Sequence, residues 1–139
     1  MSGRFDLDLT DPQRSGVYAV GDEDLDTLAA LARGAGLRVL RVDLRDCTDK
    51  RTLLARLAAQ LDFPHAFGRN WDALSDALRD LAWLPAPSGY ALLLESAESL
   101  RSQAGVDFDT LLEILDETAS AWRRLDAPFN VFIGLQEAA

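Results

Sequence analysis

Cysteine, histidine and lysine each occur once in this 139-residue chain, and each scarcity removes a class of chemistry. The lone Cys47 excludes an internal disulfide and fits a reducing compartment. No histidine neighbours it in sequence, so it reads as a small residue near a strand end rather than a nucleophile. With only His65 available, zinc clusters and most nucleophile–histidine pairs have little to work with. Lys50 falls at the start of a helix and reads as a surface charge rather than a catalytic amine. Neither a Gly-x-x-x-x-Gly-Lys-Ser/Thr nor a Gly-x-Gly-x-x-Gly sequence occurs, which leaves a nucleotide cradle unsupported. No apolar run approaches the roughly 18 residues that span a bilayer. The first twenty residues, with Asp6, Asp8 and Asp11, lack the basic and apolar regions of a signal peptide. The expectation is a cytoplasmic protein without cofactor, metal or catalytic residues.

What the chain has is apolar residues and acid. At 48% hydrophobic it can bury most of its surface as one domain, residues 1–139. About a dozen polar residues at the start read as loose. Gly16 to Val20 reads as a short strand, and Asp22 as the cap of a helix to about Arg33 that Gly34 and Gly36 stop. Leu37 to Leu44 is a strand. Thr48 or Asp49 opens a Leu-rich helix that ends before Pro64. A helix over roughly 70–82 buries Trp71, Leu74, Leu78 and Leu81. Tyr90 to Leu94 is apolar on both faces, the mark of a sheet interior. A short helix at 96–103, a longer one from Asp107 to Trp122 and a last strand from Phe129 to Leu135 complete the order. Strands separated by helices imply parallel pairing through right-handed crossovers, hence an α/β domain with a small parallel sheet of about four strands.

The acid is concentrated. Of the formal net charge of −9, residues 70–117 carry −8, ten acids against two bases. Such a field repels phosphate backbones and anionic membranes and attracts basic surfaces. Nucleic acid and membrane are therefore not expected as ligands, whereas a nucleic-acid-binding protein is. The most informative stretch is 64–76, where a turn with Pro64 and Gly68 leads through a capping Asn70 into a helix bearing Asp72 and Asp76. Four residues apart, these aspartates share one helical face, and Asp80 extends the line. Like charges at this spacing cost a helix roughly 0.2–0.5 kcal/mol per pair. Asp72 is in the first turn, where the dipole favours it, and a charged helical face is commonly just solvated. A magnesium site or an acid/base pair would need carboxylates converging from different elements. Spread along one helix, they look more like a docking surface.

With those residues in view, residues 38–135 resemble the barstar family of intracellular ribonuclease inhibitors. The resemblance rests on Gly68-x-Asn70-x-Asp72-Ala73-Leu74-x-Asp76-Ala77-Leu78, on the Leu-rich helix ending at Pro64, and on the order of elements. It implies three parallel strands, to which residues 1–36 add a strand at one edge and a crossover helix. It also implies that the acidic helix and its preceding loop plug the active site of a barnase-like ribonuclease. Asp72 and Asp76 match the two inhibitory aspartates, and Glu117 an acidic contact on the later long helix. The partner-binding set is then Phe67, Gly68, Asn70, Asp72, Ser75, Asp76, Arg79 and Glu117. The chain departs from the family's pattern with Ala66 and Phe67 before the glycine, Arg69 at an acidic loop position, Ser75 at a helix tryptophan, and Arg79 one turn after Asp76. At that position Arg79 could pair with Asp76. The implied function is inhibition of a basic secreted or toxin ribonuclease by a protein that is a monomer when free, as immunity to its own or a rival's toxin. The alternative is an acidic interaction module that regulates a non-nuclease partner.

Overall fold

The structure, a computed structural model, describes residues 8–64, 68–86 and 88–136. Strands β1 (Gly16–Gly21), β2 (Arg38–Asp43), β3 (Tyr90–Glu95) and β4 (Phe129–Leu135) form one parallel sheet in the order β1-β4-β3-β2. The expected N-terminal strand lies at the sheet edge, paired with β4 from Gly16 opposite Asn130 to Gly21 opposite Leu135. The interior strands β3 and β4 are buried along nearly their whole length. That is why Tyr90–Leu94 is an unbroken apolar run rather than an alternating one.

The two faces of the sheet carry separate cores. On one, α1 (Leu25–Gly34) sets Leu25, Leu28, Ala29 and Ala32 with Ala91, Leu93 and Phe132. On the other, α2 (Lys50–Gln60), α3 (Trp71–Asp80), α4 (Glu98–Gln103) and α5 (Gly105–Arg124) enclose Leu92, Leu94, Val131 and Ile133. From α5 this core takes Phe108, Leu111, Ile114, Leu115 and Ala119, with Leu112 and Trp122 only partly buried. Gly36 ends α1, with φ +85° and the paired bonds Gly36 N–H to Arg33 O and Leu37 N–H to Ala32 O, both 3.0 Å. This is the Schellman pattern, closed by the buried Leu37.

Two sequence-based expectations change at the N-terminus. Asp22 does not cap α1: a 3-10 turn, Asp22–Asp24, precedes the helix, and the Asp22 carboxylate instead accepts from the Ser96 N–H at 2.8 Å. Gly134 makes room for it, since a Cβ there would stand 2.1 Å from Asp22 Oδ1. Nor are the described residues 8–15 loose. Leu9 is buried, its carbonyl accepts from Asn130 Nδ2, and buried Ser15 Oγ accepts from the Phe129 N–H. These bonds occupy polar groups of β4 that would otherwise be buried without partners. Residues 1–7 of that expected loose segment lie outside the described residues.

Candidate functional site

Helix α3 begins where the sequence says it should. Arg69 takes a left-handed backbone, φ 53°, which turns the chain into Asn70. Asn70 is extended, and its side-chain oxygen accepts from the Ala73 N–H at 2.7 Å. The N-cap thus satisfies one of the first turn's orphan donors. Asn70→Ala is expected to lower stability by about 1 kcal/mol, read by thermal melt, and to weaken binding with it because the cap sets the helix start.

The helix ends earlier than periodicity suggests. Leu81 adopts φ 48° while its side chain is fully buried. Core packing holds it in a conformation that a free leucine avoids, and the helix stops at Asp80. Two tryptophans help to fix α3, and a third ties the segment that follows it to the end of α2. Trp71, its first residue, packs partly buried against the core, with Lys50 Nζ 5.3 Å from its ring centroid. Trp122 of α5 donates Nε1–H to the Leu78 carbonyl at 2.9 Å, satisfying one of the last-turn acceptors. Trp83 donates to Leu61 O at the end of α2 and meets Phe63 edge-on. With Leu74 and Leu78 buried beneath it, the helix is clamped from inside and at both ends.

The outer face holds the expected residues. Asp72, Asp76 and Asp80 are exposed and Ser75 is half-buried. Among the described residues, Asp72 and Asp76 make no hydrogen bond, and neither forms an ion pair. Arg79 does not pair with Asp76. Its guanidinium donates to Ser75 Oγ at 2.7 Å, one turn back, so it does not engage the Asp76 carboxylate. Gly68 and Asp76 line a cavity of about 300 Å³ beside the helix, whose walls include Ala73, Ala77, Asp80 and Trp83. Glu117 is exposed on α5, the helix that packs against α3. Phe67 lies outside the described residues.

Sequence spacing does not reveal a second feature. Lys50 and Arg51 at the start of α2, and Arg69 eighteen residues on from Arg51, line a cavity of about 550 Å³ with Asp49, Leu54 and Asp107. The Asp49 carboxylate accepts the Thr52 N–H at 2.7 Å as N-cap of α2, a bond that holds its pKa below the usual carboxylate value. Cys47 is fully buried, and desolvation pushes its thiol pKa up, the reverse of what a thiolate nucleophile needs. Among the described residues, no group of three or more histidine, cysteine or acidic side chains is placed to hold a metal ion, and no helix is long and apolar enough to cross a membrane.

Residues 37–134 match the protein-family profile described as "Barstar (barnase inhibitor)". The chain belongs to the barstar family. The match takes in β2 through nearly all of β4, and with them α3, Asp72, Asp76 and Glu117; β1 and α1 precede it. A Bacillus subtilis (strain 168) protein named "Putative ribonuclease inhibitor YrdF" is 33% identical over 97 residues, 70% of this chain and 99% of that protein. Among solved structures, the Aeropyrum pernix ORC2 protein, in ADPNP and ADP complexes, is similar with a TM-score of 0.56 and 19% identity. That similarity covers 88% of this chain and 35% of the ORC2 chain. At this identity the likeness is one of α/β fold alone. Family membership and the inhibitor relative point to a ribonuclease-inhibitor-like, non-catalytic role.

Proposed function

We propose that this barstar-family chain inhibits a basic ribonuclease by placing the acidic face of α3 in the enzyme's phosphate-binding cleft. The observation that carries the reading is the pair of carboxylates, Asp72 and Asp76, without partners among the described residues and one turn apart on a helix held by Trp71 and Trp122. A cleft that binds RNA phosphate presents arginine, lysine or protonated histidine, and a rigid carboxylate can take the phosphate's place. The helix is already ordered, so little conformational entropy is lost on docking. Gly68 and Asn70 shape the entry to the helix, Ser75 anchors Arg79 away from Asp76, and Glu117 supplies a rim contact from α5. Phe67 is assigned to the preceding loop by the family resemblance. Steering by the net charge of −9 would speed encounter with a cationic enzyme. In this reading the protein acts in the cytoplasm, as a free monomer, to neutralise a toxin or its producer's own secreted enzyme.

The test is RNA cleavage by a panel of purified basic secreted ribonucleases, barnase among them, titrated with the chain. Stoichiometric inhibition of at least one is expected. Association should slow as salt rises, more than dissociation speeds up. Asp72→Ala should weaken binding and also cost roughly 0.3–1 kcal/mol of stability, because it interacts with the helix dipole. Glu117→Ala, exposed and on another helix, should cost less than either helix aspartate. A tight complex that leaves RNA cleavage intact would instead favour an acidic module that regulates a non-nuclease partner.

A further inference from the structure

The acidic helix does not stand alone on its surface. The basic cavity lined by Lys50, Arg51 and Arg69 abuts its N-terminus: Arg69 immediately precedes the Asn70 cap, and Lys50 Nζ sits over the ring of Trp71. A partner large enough to cover Asp72 and Asp76 must also meet these cations. Arg51 and Arg69 are exposed, and among the described residues neither makes a hydrogen bond or an ion pair. Two acids share the wall, Asp49, which caps α2 and lies within electrostatic reach of Arg51, and Asp107 in the first turn of α5, so the three cations exceed the anions by one. Pressed against a uniformly cationic enzyme, the two free guanidinium groups would be desolvated next to like charge, which suppresses binding.

We propose that the ribonuclease this chain takes is not uniformly basic, and that it carries an acidic loop beside its cationic cleft which seats its carboxylates between Arg51 and Arg69. The inference rests on the ribonuclease-inhibitor reading and deepens it by stating the chemistry of the partner's flank. Planar guanidinium forks suit carboxylate recognition, and a cavity of about 550 Å³ has room for a loop bearing one or two acidic side chains. The acidic helix would then supply attraction, and the basic cavity would supply discrimination against cationic enzymes that lack the loop.

The test turns on a sign. If charge acts only at long range, Arg51→Glu and Arg69→Glu, which make the inhibitor more anionic, should tighten binding to a cationic enzyme. If the arginines face carboxylates, both should weaken it. The probe is the purified ribonuclease that the wild-type chain inhibits most strongly in the panel above, with dissociation constants measured in the absence of RNA. The expected result is at least a tenfold loss for Arg69→Glu and for Arg51→Glu. Arg69→Asn, which suits the left-handed backbone and removes the charge, should give a smaller loss. Unchanged melting temperatures would show that the variants fold. Tighter or unchanged binding by the two glutamate variants, while Asp76→Ala still loses affinity, would overturn this inference and leave the inhibitor reading standing. A loss seen only when RNA is added would mean that the arginines hold nucleic-acid phosphate, and would equally overturn it. If the wild-type chain binds no enzyme of the panel, both proposals fall.

Discussion

Asp76→Ala is expected to weaken binding to the target ribonuclease by at least ~2 kcal/mol, about thirtyfold in Kd, while leaving the melting temperature nearly unchanged. The two halves of this expectation have separate causes. Asp76 lies beyond the first turn, so the helix dipole gains little from it. It is exposed, it has no hydrogen bond or ion pair among the described residues, and Arg79 is held by Ser75. Removing it also relieves like-charge pairing with Asp72 and Asp80, worth a few tenths of a kcal/mol. In a complex, the same carboxylate would be desolvated against arginine or lysine, and its loss would leave that cation buried without a partner. Such positions dominate alanine scans of interfaces, a generalisation drawn in part from the barnase–barstar pair itself. Isothermal titration and a thermal melt on one preparation would decide. Wild-type affinity in Asp76→Ala would rule out the acidic-helix mechanism for this chain.

Leu74→Ala, two residues away, should behave in the opposite way. Leu74 is completely buried beneath α3, between the helix and the core shared with Leu53, Leu57 and Leu78. Truncating such a leucine costs about 2–5 kcal/mol, depending on how far the cavity collapses. At about 3 °C per kcal/mol for a chain of this size, the melting temperature should fall by roughly 6–15 °C. The folded fraction should still bind, because the outer face of the helix is intact. Titration well below the melting temperature should give a Kd within about threefold of wild type. A large loss of affinity there would mean that the core beneath α3 sets the aim of the aspartates more finely than its hold by Trp71 and Trp122 suggests.

These two variants also mark what the sequence makes legible. Trp71, Leu74 and Leu78 repeat on one helical face and Asp72, Asp76 and Asp80 on another, so burial and exposure of α3 follow from spacing alone. The Tyr90–Leu94 run announces an interior strand, and the glycines at 34 and 36 announce the end of α1. Features that depend on distant partners are not legible. Asp22 looks like a cap until Ser96, seventy-four positions away, claims its carboxylate. Leu9 looks like part of a loose tail until Asn130 binds its carbonyl. Leu81 breaks the helical register only because the core takes its side chain. The choice of Arg79 between Ser75 and Asp76 is a matter of a few ångströms that residue spacing leaves open. The gathering of Lys50, Arg51 and Arg69 around one cavity has no local signature at all, since it depends on how the start of α2 meets the loop before α3.

The edge position of β1 has a consequence for how the molecule coexists with copies of itself. Residues matching the family begin at Leu37, and a chain cut there would lose the strand that pairs with β4 from Asn130 to Leu135. The bared side of β4 would be a long, apolar row of unpaired backbone donors and acceptors, a template onto which another chain can add a strand. By covering that side of β4, β1 would shield it from strand addition, and a chain cut at Leu37 is expected to self-associate more readily than the full chain even where its α3 helix is intact.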